Sequence, residues 1–183
     1  EGENLALALA VDGEGVALEL TVRNPLEQPF GELASLVPCF NPGPEDVRTQ
    51  ALAHHLATYY LGRTGLERVA AHEMHFNGAL RERLRQVSPE LAFDFSSKWP
   101  TSEHDAEGGL LLRESRDGDF VTGIAWEDFL GAQAHNPWQC LHLSVHVGPL
   151  APGITRKVRG HIWHFAGGRE ELLQRWERVQ ERW

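Results

Sequence analysis

The sequence predicts a mainly β protein: one antiparallel β-sandwich across residues 1–183, with a helical insertion at about residues 44–87 and a C-terminal amphipathic helix. Three observations predict it. Apolar residues alternate with small or polar ones at period two on both sides of Asp-Gly turns. Turn formers are frequent, with 18 glycines and 10 prolines in 183 residues. The segment 168–183 switches to a helical period.

The first strands are the clearest. Leu5, Leu7, Leu9 and Val11 alternate with Ala6, Ala8 and Ala10, and after "DGEG" Val16, Leu18, Leu20 and Val22 alternate with Ala17, Glu19 and Thr21. This is a hairpin with one face on the core. In "NPGPEDVRTQALAHHLATYYLG", Pro44 suits a first helical turn and Glu45 and Asp46 its positive end. Ala51, Leu52, Leu56, Tyr59 and Tyr60 fall near a 3.6 period, and Gly62 closes the helix. A long functional loop is the alternative. A second helical stretch covers Ala79 to Val87, where Leu80, Leu84 and Val87 share a side. Strand signals return in "LAFDF", "GLLLRES", "DFVTGIAW", "CLHLSVHV" and "TRKVRGHIWHF", with "RDGD" as a hairpin turn. In the last segment Leu172, Trp176, Val179 and Trp183 form one helical stripe, suited to the outside of a sheet or to a partner subunit in a homo-oligomer.

Composition bounds the partners. The apolar fraction is 42% and the charged fraction 23%, ordinary for a globular chain. A formal charge of −9 disfavours nucleic acid and anionic membranes, and the basic run "RERLR" reads as the solvated face of a helix. No apolar run reaches membrane-spanning length. The opening "EGENLALALAV" lacks the basic and apolar regions of a signal peptide, consistent with a mature or trimmed form. The compartment stays open, with an extracellular or periplasmic setting slightly favoured. Cys39 and Cys140 are either a disulfide or two buried thiols.

The stretch "HNPWQCLHLSVHVGPLAPG" concentrates chemistry. On a strand Leu141, Leu143, Val145 and Val147 face the core, while Cys140, His142, Ser144 and His146 face the other way. His142 and His146, about 13 Å apart along the strand, do not share one ion. Cys140 and His142, about 6.6 Å apart, can. Further ligands would come from His135, His72 or His75. His72 and His75 in "HEMH" share a face if helical, at a spacing different from the zinc-protease pattern.

The same face also suits a sugar. Trp126 in "AWED" and Trp138 in "NPWQ" offer rings for a pyranose, and Asn136, His142 and His146 offer partners for its hydroxyls. Glu127, with His142, supplies proton transfer if there is catalysis. Trp99 in "SKWP" is a further ring near polar residues, whereas Trp163, Trp176 and Trp183 read as core. A second acid-base cluster, "TSEHDAEGG", places Glu103, Asp105 and Glu107 around His104, with a solvated loop as its plain alternative. No serine elbow, phosphate loop or dinucleotide fingerprint is present.

The tail "VGPLAPGITRKVRGHIWHF" resembles the closing strands of β-sandwich domains in carbohydrate-active, galactose-mutarotase-like proteins. That resemblance implies a sugar-facing sandwich; the family's catalytic His and carboxylate are not matched to positions here. The leading expectation is therefore carbohydrate recognition, as a binding module or a small sugar-active enzyme, without a cofactor. One alternative is a metal-dependent enzyme on a cupin-like sandwich, taking a divalent transition metal through Cys140, His142, His135, His72 and His75. Another is an assembly domain without ligand.

Overall fold

The computed structural model describes residues 3–41, 57–70, 72–91, 93, 100–115, 117–134 and 140–183. Among the described residues, twelve strands form two sheets, antiparallel between all the paired strands. The strands are β1 (Leu5–Val11), β2 (Val16–Arg23), β3 (Ser35–Leu36), β4 (Cys39–Phe40), β5 (Thr58–Gly62) and β6 (Gly65–Arg68). They continue as β7 (Met74–Phe76), β8 (Gly108–Glu114), β9 (Phe120–Trp126), β10 (Phe129–Gln133), β11 (Leu141–His146) and β12 (Thr155–Ala166). The larger sheet runs β1-β2-β12-β9-β8-β5-β6, and the smaller runs β3-β11-β10-β7 with β4 also on β11. Two helices, α1 (Gly78–Val87) and α2 (Arg169–Gln180), complete the described elements.

Alternation explains the layering. Leu18, Leu20, Val22, Leu111, Ile124 and Val158 of the larger sheet meet Ala132, Leu141, Leu143, Val145 and Val147 of the smaller in one apolar core. The expected core row of β11 is thus in place, with each member at most 3% exposed. Both Asp-Gly turns form as expected. Asp12 Oδ1 accepts from the Glu14 and Gly15 amides at 2.8 Å, and Gly118 takes φ +81°.

A helix lies against the outer face of each sheet. The α2 stripe of Leu172, Trp176 and Val179 packs on Leu110, Leu112, Val121, Ala125 and Trp163. Arg169 fastens its first turn, donating to the Tyr59 hydroxyl at 2.7 Å and pairing with Glu114 at 3.3 Å. The stripe thus packs on the outside of a sheet, the first of its two expected uses, and its buried residues are taken up inside the chain. On the smaller sheet, Leu80 and Leu84 of α1 pack on Met74, Phe76 and Leu130. Asn77 caps α1 by accepting from the Leu80 amide at 3.0 Å.

The helical insertion needs correction. Tyr59 and Tyr60 lie in β5, followed by β6 and β7, so only α1 is helical among the described residues of 57–87. Aromatic residues fit a half-buried pleat, and pairing with β8 overrides the local 3.6 period. The expected helix over residues 44–56 lies outside the described residues. So does most of "LAFDF", whose Leu91 and Phe93 pack beside α1 outside any strand. The run "RERLR" is not wholly solvated: Arg81 is buried against the Phe76 ring and paired with Asp105 at 2.8 Å.

Candidate metal centre

The polar row of β11 is not a wet face. Ser144 and His146 are 2% and 4% exposed, covered on the outer side of the smaller sheet. His146 meets the Glu32 carbonyl through Nε2 at 2.7 Å, and burial holds its imidazole below the ordinary histidine range. It is therefore a packed, tied residue and not one that reaches for a ligand. At the start of the strand the row opens out, for His142 is only partly buried.

Cys140 immediately precedes β11 and stands two residues before His142. Strand β4 lies alongside β11 with Cys39 directly across from His142 and Phe40 across from Leu141. Directly opposite positions on antiparallel strands bring Cβ atoms to about 5 Å. The three ligating atoms of Cys39, Cys140 and His142 accordingly lie within 4.8 Å of one another. Donors on a tetrahedral zinc ion stand about 3.7 Å apart, given Zn–S of about 2.3 Å, so small rotamer changes close the set. Cys39 is exposed, Cys140 is buried, and the two are not joined by a disulfide.

Electrostatics set the protonation of these side chains. Burial, together with the neighbouring Cys39 thiol, pushes the Cys140 thiol up to about 11. The Arg113 guanidinium opposes that rise by favouring the Cys140 thiolate. Arg113 comes from β8, is 7% exposed, and donates from Nε to Thr58 Oγ1 at 3.0 Å. Burial lowers the His142 imidazole, which keeps it in the neutral, ligating form at neutral pH.

The other expected site residues are dispersed. His75 faces the inner side, stacked 3.8 Å from the Tyr60 ring with Nδ1 against the His104 carbonyl. It therefore lies on the opposite sheet face from His142, and "HEMH" is a bend and strand, not a helix. His72 is not part of the cluster, and His135, Asn136 and Trp138 lie outside the described residues. Trp126 is 1% exposed and belongs to the sandwich core, so it offers no open ring to a sugar. Its indole occupies the space beside Gly160, where a Cβ would stand 2.5 Å from Cε3. Glu127 is held by the Arg159 amide and Nε at 2.8 Å each. It precedes β10, whereas His142 pairs with Gln133 at that strand's far end, more than about 13 Å along the hairpin. Glu127 and His142 are thus not a catalytic pair.

The spacing in sequence points to Cys140 and His142 but not to Cys39 as their companion. Glu103, His104, Asp105 and Glu107, the second candidate cluster, lie elsewhere. These line a polar cleft of about 230 Å³ with Arg63 and with Glu67, which accepts from the Tyr60 hydroxyl at 2.8 Å. No family model matches the chain, and no curated protein or solved structure is significantly similar to it. No helix among the described residues is long and apolar enough to cross a membrane.

Proposed function

We propose that this protein is a metal-binding β-sandwich that holds a divalent transition ion, zinc by its donor chemistry, on Cys39, Cys140 and His142. The observation that carries this reading is the convergence of two thiols and an imidazole within 4.8 Å across the β4–β11 pair. Two thiolates and a neutral histidine are a soft donor set that favours zinc over magnesium or calcium. Three protein ligands leave a fourth position for water or a substrate atom, the arrangement that supports Lewis-acid chemistry. Arg113 offsets part of the burial that disfavours the Cys140 thiolate, and the exposed Cys39 leaves the cluster reachable from solvent.

The carbohydrate reading is supported less by the geometry. Of its named residues, Trp126 is core, His146 is tied to the backbone and Glu127 is paired with Arg159.

The test is zinc titration of the apo protein against a chromogenic chelator, with mass spectrometry under native conditions for stoichiometry. One zinc per chain is expected. Cys39→Ser, at an exposed position, is expected to weaken binding by tenfold or more while leaving the circular dichroism spectrum unchanged. Absence of stoichiometric uptake, or equal uptake by Cys39→Ser, would sink the reading.

A further inference from the structure

The strand β1 carries an apolar row that the fold leaves uncovered. Leu5, Leu7, Leu9 and Val11 are 56%, 50%, 64% and 87% exposed. Register pairs Leu5 with Val22, Leu7 with Leu20, Leu9 with Leu18 and Val11 with Val16. The exposed row therefore continues the same sheet face as Leu18, Leu20 and Val22, which are buried in the sandwich core. β1 overhangs the smaller sheet, and an apolar hollow of about 390 Å³ lined by Leu5, Val22, Phe30, Leu36 and Val147 opens beside it. β1 also ends the sheet, so its outer backbone edge has no neighbouring strand among the described residues. A seven-residue apolar edge of this kind is a template for another strand.

Charge and area point to a second copy as the occupant. The chain carries a formal charge of −9, yet Leu5 to Val11 contains no charged residue, so like-charged copies can meet there. A two-fold axis requires antiparallel pairing of identical strands. Centred on Ala8, it sets Leu5 against Val11 and Leu7 against Leu9, with Asn4 facing Asp12, and no like charges stand directly opposite. Pairing would cover the strand edge and the facing flanks of the four exposed apolar side chains of each copy, on the order of 500–1,000 Å², the range of a weak, reversible interface.

We propose that β1 is a homodimerisation strand, through which two copies pair about a two-fold axis at Ala8 and join their larger sheets into one. The pairing is independent of any metal at the β4–β11 site.

The test is sedimentation velocity of the full chain across the micromolar range, with hydrogen exchange at low and high concentration. A monomer–dimer equilibrium is expected, with concentration-dependent protection confined to β1 amides. Leu7→Lys and Leu9→Lys, at exposed positions, should each weaken the dimer by roughly tenfold or more with an unchanged circular dichroism spectrum. A monomer throughout would overturn the proposal, including one whose β1 amides are already protected by its own chain. So would a dimer indifferent to both lysines, or open-ended assemblies in place of a closed pair.

Discussion

The outer faces of the two sheets solve the same problem differently. On the larger sheet α2 seals an apolar surface, with Leu172 at 0% and Trp176 at 7% exposure over Leu110, Leu112 and Trp163. On the smaller sheet α1 covers Met74, Phe76 and Leu130, but the β11 row beside them is His142, Ser144 and His146, with Cys140 just before it. A sealed apolar face contributes stability through area removed from water. A covered polar face contributes far less, because each buried group must first recover its lost hydration. The thiols and the imidazole therefore stand on the face that contributes least to holding the chain together.

The largest expected effect tests the sealed side. Trp176→Ala should cost about 3–5 kcal/mol, since it empties a large aromatic volume between α2 and β8. Urea unfolding would measure it as a lowered midpoint. A loss under about 1 kcal/mol would mean that the α2 contact is loose and the contrast between faces is false. Zinc uptake should survive this substitution in the folded fraction, because α2 packs on the larger sheet while β4 and β11 belong to the smaller.

The second effect tests the polar side. If zinc binds the folded chain alone, free zinc at a hundred times Kd adds about 2.7 kcal/mol. For a chain of this size that is about 5–10 °C in Tm. Differential scanning fluorimetry of wild type with and without zinc should show that rise, and Cys39→Ser should not. The metal-free variant should melt within a degree or two of wild type, because Cys39 is exposed. Equal shifts in both proteins would place the ion elsewhere.

How much of this was legible in the sequence follows the range of the interactions. The β1–β2 hairpin, β8, β9, β11 and β12 could be read because side-chain alternation is local. The α2 stripe was equally legible, but whether it met a sheet or a partner depends on packing that no period encodes. β10 escaped because "FLGAQ" is short and carries Gly131 and Ala132, which are poor strand formers, at positions fixed by β7 and β11. Half of the cluster could be read, since the spacing of Cys140 and His142 is a strand property. Cys39 reaches His142 only through cross-strand register, far away in sequence. Trp126 reads as a candidate sugar platform because polar residues follow it, whereas packing among the inter-sheet core and against Gly160 turns its ring inward.

The smallest effect sharpens the contrast through pH. His75, His142, His146 and His161 are all held below the ordinary histidine value, first of all by burial. Unfolded, they would bind protons near pH 6.5, while the folded chain resists protonation. The unfolded state then binds more protons, so stability rises with pH across that window. The stability these groups contribute is present above about pH 6.5 and is lost as pH falls from there through their lowered folded values. Tm measured in metal-free buffer should decline from pH 7 towards pH 5. His146→Gln, able to keep a donor to the Glu32 carbonyl but not to titrate, should flatten part of that decline. Zinc should steepen it, because protons compete for His142 and for both thiolates, so the metal-dependent rise in Tm should shrink as the solution is acidified. A rise in Tm that is independent of pH would remove His142 and the thiols from the ligand set, and the polar face would then be only a face.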